Sequence, residues 1–163
     1  MDPHPYRQAY EARDLDRLVS LLADDVVFHS AIVTEQGFEG GDSVAAFLAV
    51  VLDLFEDNQF THEFGDERSH LLVANARVLG KPVKTTTLLE FDAEGKIREI
   101  WVMVRPLAGL VAVVEAAALP LAKGREDAVR ELSKQLADLA AVADTAGADL
   151  VEEVNRSASP ANA

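Results

Sequence analysis

The 163-residue sequence contains no cysteine, so disulfides, thiol nucleophiles and thiolate metal sites are all excluded. Basic residues are scarce as well: 15 Lys and Arg stand against 28 Asp and Glu, giving a formal net charge of −13. With no basic cluster to displace counterions, neither nucleic acid nor an anionic membrane surface is expected as a partner. Long apolar runs are missing too. The most apolar stretch, residues 107–122, is interrupted by Glu115 and Pro120 and is too short to span a bilayer. The N-terminal stretch MDPHPYRQAYEARD has no apolar signal core. A soluble, cytoplasmic protein is the expectation. The 4 histidines show neither the i, i+4 nor the i, i+2 spacing of a metal site, and no metal or cofactor is expected.

What is present is ample material for a core, since hydrophobic residues make up 49% of the chain. Length indicates one domain with an appendage. The clearest stretch is 84–106, KTTTLLEFDAEGKIREIWVMVRP. A β-branched run, an Asp-Ala-Glu-Gly turn and a second run that is apolar on both faces read as a central hairpin. Upstream, Pro5 suits the first turn of a helix over 6–13, and Asp14 suits the N-cap of a second over 15–22. A strand follows at 26–30, then a loop over 32–41. Val44, Phe47, Leu48, Val51 and Phe55 fall at helical spacing in a third helix. Period-two alternation predicts a strand over 58–67, with Phe60, His62 and Phe64 on one side, and another strand over 70–79. Helices followed by successive strands indicate an α+β layer on a largely antiparallel sheet. Beyond residue 110 the chain turns Ala/Leu-rich. It predicts a helical extension over 111–146, with an apolar stripe at Val129, Leu132, Leu136, Leu139 and Ala143, and a frayed tail over 147–163.

Several of these stretches together resemble the SnoaL-like branch of the nuclear transport factor two-like superfamily. They are YRQAYEARDLDRLVSLLADD (6–25), VVFHS (26–30), FEGGD (38–42), the turn at 92–97 and VMVRPL (102–107). The resemblance covers roughly residues 6–110. It implies a cone-shaped, strongly curved, mostly antiparallel sheet wrapped around three N-terminal helices, an interior pocket, and dimers formed through the sheet's outer face. The group includes ketosteroid isomerases, polyketide cyclases and limonene epoxide hydrolases. The matching positions place Tyr6 on the isomerases' tyrosine, Ser30 where their carboxylate base stands, and Thr87 where their protonated aspartic acid stands. Neither hydroxyl replaces a carboxylate at neutral pH. The acid–arginine–acid pattern of the epoxide hydrolases fails at Arg77, which is followed by Val78 and Leu79.

If Ser30 and Thr87 point inward, as the matching positions do, strand alternation carries others with them. The expected ligand-binding set is Tyr6, Phe28, Ser30, Phe47, Val51, Phe55, Leu72, Ala74, Thr85, Thr87, Leu89 and Val102. It suits a hydrophobic small molecule held by a few hydrogen bonds. Leu71, Val73, Leu88, Trp101, Met103 and Arg105 then face outward, where such residue types indicate a homodimer. The catalytic candidates are His62, which shares a side with two phenylalanines, Glu35 in the loop, and Tyr6 as hydrogen-bond donor. His29 is expected to face outward, His70 to be exposed, and His4 to sit idle in the tail. Three readings stay open. The chain binds a small molecule without catalysis, acts as a cofactor-free cyclase or isomerase on a polyketide- or steroid-like substrate, or serves as an assembly module with its pocket filled.

Overall fold

The computed structural model describes residues 2–32, 37–118 and 124–158. The elements run α1 (Pro5–Glu11), α2 (Leu15–Ser20), β1 (Leu22–His29), β2 (Phe38–Glu39), α3 (Gly41–Leu54), β3 (Glu56–Gly65), β4 (Ser69–Val78), β5 (Lys81–Phe91), β6 (Ile97–Arg105), α4 (Leu107–Ala118) and α5 (Glu126–Ala158). The α+β class is as expected. Pro5 occupies the first turn of α1, and Asp14 caps α2 by accepting from the Arg17 N–H at 2.9 Å. The strands form one sheet in the order β2-β1-β6-β5-β4-β3. Only the β1–β6 pair is parallel, and the 84–106 hairpin lies at the centre as β5 and β6.

Helices α1–α3 bury their apolar sides on one face of this sheet. Tyr6, Ala9, Leu18, Val44 and Leu48 meet Val26, Phe28, Leu72, Leu89, Ile97 and Ile100. A second cluster brings Ala112 and Val113 of α4 against Phe55, Ala76, Val78 and Val83. The extension therefore covers the same face as α3. Gly109 permits the approach, because a Cβ there would stand 2.5 Å from Val83 Cγ1.

Three expectations are corrected. β1 begins at Leu22 rather than at 26, because Asp24 and Asp25 sit exposed within an irregular stretch of strand and do not break it. The 32–41 loop holds a two-residue strand that pairs Phe38 with Phe28. The tail expected to fray from 147 is helix through Ala158, since one glycine in an Ala-rich run costs only about 1 kcal/mol. Helix α5 packs back on α4, burying Ser133 and Ala140, whereas residues 141–157 are all exposed. No helix among the described residues is long and apolar enough to cross a membrane. Nor do the described residues contain a His/Cys/Asp/Glu group that could hold a metal ion.

Candidate functional site

Strand β3 departs from simple alternation twice, and those departures decide which side chains reach the interior. Glu56 pairs with Arg77 and Gln59 with Asn75, so β3 advances three residues while β4 advances two. Asp57, at φ 51°, absorbs the extra residue. Phe60 then pairs with Ala74 but His62 with Val73, leaving Thr61 as a second insertion. Asn58 and Phe60 consequently share the inner face, whereas His62 and Phe64 fall on the outer face and Glu63 turns inward.

Between the helices and the sheet lies an apolar cleft, with about 710 Å³ of atom-free space counting its open mouth. Most of that space belongs to the mouth, so the cleft itself is a narrow slot. Helix α1 contributes Tyr6 and Tyr10, and α3 contributes Phe47, Val50, Val51 and Leu54. The sheet supplies Phe28, Asn58, Phe60, Thr85, Thr87, Val102 and Val104, while Val113 and Ala117 come from α4. Ser30, Ala31, Ile32 and Phe55 complete the lining. The aromatic rings brace one another. Phe47 stacks on Phe38 at 4.0 Å and meets Phe28 edge-on at 4.9 Å, and Tyr10 meets Phe60 edge-on at 5.7 Å.

Of the twelve residues expected to bind ligand, nine line this cleft: Tyr6, Phe28, Ser30, Phe47, Val51, Phe55, Thr85, Thr87 and Val102. Leu72, Ala74 and Leu89 face the same way but lie at most 1% exposed in the solid core, deeper than the cleft reaches. Sequence reasoning passed over Tyr10, Asn58 and the α4 pair as lining, while Phe60 lies on the side expected to reach the interior. Tyr10 was legible, being four residues from Tyr6 on one helix. Asn58 depended on the bulge.

The electrostatics are those of a dry site. Burial pushes the Tyr6 hydroxyl well above the ordinary tyrosine range, with Tyr10 adding to the effect. Burial raises Tyr10 likewise, partly offset by the Arg13 charge. Both therefore stay protonated donors. Among the described lining residues there is no carboxylate, histidine or cation. Ser30 Oγ accepts from the Ile32 N–H at 3.3 Å. The Nδ2 of Asn58 is shielded from water and has no partner among the described residues.

His62 is displaced from the interior by the Thr61 insertion. It lies exposed on the outer face, sharing a 3.1 Å hydrogen bond with the Thr61 hydroxyl and stacking near Phe64. Glu35 lies outside the described residues. The inward group on this stretch is Glu63, which accepts from the His4 N–H at 2.6 Å and Arg7 Nη1 at 3.0 Å. His70 Nε2 lies 2.9 Å from the same carboxylate. His70 is thus buried instead of exposed. His4, far from idle, caps α1 by accepting from the Tyr6 N–H at 3.1 Å and stacks on His70 at 4.5 Å. This cluster fixes α1, the helix that carries Tyr6 and Tyr10. His29 does face outward, its ring 3.5 Å from Trp101, whose indole N–H donates to Glu99 at 3.1 Å.

Comparison with known proteins places this geometry. Residues 5–100 match the SnoaL-like domain. A crystal structure described as a steroid delta-isomerase from Pseudomonas aeruginosa is 33% identical, with 72% of this chain and 87% of that chain covered at a TM-score of 0.67. A Silicibacter pomeroyi protein with a cystatin-like fold is 24% identical over 78% of this chain and 90% of its own, at a TM-score of 0.66. A Mycobacterium tuberculosis protein solved in complex with estradiol-17beta-hemisuccinate is 18% identical over 64% of this chain and 91% of its own, at a TM-score of 0.50. No curated protein matches the chain.

Proposed function

The chain belongs to the SnoaL-like domain family, and on that footing we propose that it binds a hydrophobic small molecule in the cleft beneath α1, α3 and α4. The observation that carries this reading is the cleft itself. It is walled by aromatic and aliphatic side chains, with hydroxyls and one amide at intervals and no charged group among its described lining. The steroid complex of the Mycobacterium tuberculosis relative of like fold supports it. A thermal-shift panel of hydrophobic metabolites tests it, run on the wild type and on Val51→Trp, which fills the slot. Compounds should raise the melting temperature of the wild type alone. Equal shifts in both proteins would place binding elsewhere.

The relative described as a steroid delta-isomerase favours a second reading, in which Tyr6 donates to a substrate oxygen and Glu35 acts as base. His62, on the opposite face of the sheet, is withdrawn from that role. Incubation with a Δ5-3-ketosteroid, followed by the absorbance of the conjugated enone, separates the readings. Binding alone predicts no turnover. Turnover abolished by Glu35→Gln would establish the enzyme.

The outer face of the sheet supports a homodimer. Cross-strand rows Leu71–Leu88–Trp101 and Val73–Thr86–Met103 form an apolar band. Trp101 is 41% and Met103 55% exposed. Lys84 pairs with Arg105 on one side of that band and Glu90 with Glu99 on the other. A two-fold axis running along the band, across the strands, would lay the basic row of one copy on the acidic row of the next.

A further inference from the structure

We propose that Asn58 determines the specificity of the cleft, selecting uncharged ligands that present an acceptor oxygen, such as a carbonyl, to its amide. This rests on the reading of the cleft as a ligand site. Asn58 lines the cleft, and it also lines an adjoining recess with Tyr10 and Phe55, where Arg13, Asp53 and Asp57 stand outside the cleft. Its Nδ2 is buried with no hydrogen-bond partner among the described residues. A buried donor left unpaired is unfavourable, and native structures satisfy such groups with protein, water or ligand. The backbone from which this amide projects is held in place. Asp57, in the left-handed region at φ 51°, and the ladder pairs Glu56–Arg77 and Gln59–Asn75 on either side fix the backbone of the bulge.

The remaining lining narrows the ligand class. An anion would find no counter-charge among the described lining residues, and a cation no carboxylate. The tyrosine and threonine hydroxyls donate or accept as required, but an Nδ2 group only donates. A ligand without an acceptor at that point would give Asn58 Nδ2 no partner where the described residues supply none. A ligand with a carbonyl there would satisfy it in a dry environment, where rejection of the analogue lacking the group is strongest.

The test uses 6-propionyl-2-(dimethylamino)naphthalene, an uncharged naphthyl ketone whose emission moves to the red when its carbonyl accepts a hydrogen bond. Titrated into the full chain, it should bind the wild type saturably, and the anion 8-anilinonaphthalene-1-sulfonate should not displace it. Asn58→Leu, similar in volume, should bind about tenfold more weakly, the ratio supplied by one net hydrogen bond, with emission shifted to the blue. Asn58→Ala should show the same blue shift, which guards against a leucine that fails to pack. Wild-type affinity and emission in both variants would overturn the role of Asn58 and leave the ligand site standing. Failure of the folded wild type to bind the ketone would overturn the ligand-site reading itself.

Discussion

Glu63 is contacted from three directions, and its protonation sets how firmly α1 is held. Burial opposes its ionisation. The His4 N–H, His70 and Arg7 outweigh that and hold the carboxyl below the usual carboxylate range. Burial, and then the neighbouring His70, lower His4 below the usual histidine value, with Glu63 opposing. The signs agree. A lowered carboxyl contributes stability that is present above its ordinary pKa and lost as pH falls through its folded value, and a lowered histidine contributes in the same sense below about 6.5. Denaturation midpoints should therefore drop on acidification, beginning in the histidine range and continuing through the carboxylate range. Glu63→Gln should be less stable than the wild type at neutral pH, and the two should converge in acid. A pH-independent gap between them would remove Glu63 from this role. His62→Ala, in contrast, should change neither ligand uptake nor stability by more than about 0.5 kcal/mol, because its ring is exposed on the outer face. The exchange of His62 for Glu63 was not legible in the sequence. Phe60-Thr61-His62-Glu63-Phe64 alternates faultlessly, and nothing local announces that Thr61 is an insertion opposite the Val73–Ala74 step.

At the scale of elements, helical spacing read α3 well, because a 14-residue helix has one buried side and few ways to place it. Val44 and Leu48 enter the core, while Phe47 and Val51 border the cleft. Leu48 is fully buried, so Leu48→Ala should cost roughly 2–5 kcal/mol in a urea melt while ligand affinity holds. The hairpin of β5 and β6 was equally legible, since β-branched runs around a Gly turn admit few other structures. The destination of the C-terminal helices was not. An amphipathic stripe says that something covers it but not what, and only the structure brings α4 onto the face of the sheet that α3 also covers. Beyond Ala140, α5 is exposed through residue 157. A chain ending at residue 140 should therefore melt at the wild-type temperature. A marked fall would mean that the distal half of α5 packs on something in solution.

For the whole molecule, the two faces of the sheet carry separate assignments. The concave side holds the cleft, and the convex side carries the apolar band of the proposed dimer. Trp101→Asp should give half the wild-type mass by light scattering without loss of ligand binding. An unchanged mass would refute that face. The direct test of the central claim is a methyl NMR titration of the full chain with the uncharged naphthyl ketone. The account predicts saturable shifts in Val51, Val102, Val104 and Val113, whose side chains line the cleft, and none in the ε-methyl of Met103 on the opposite face. Shifts confined to Met103, or none at any concentration, would contradict it.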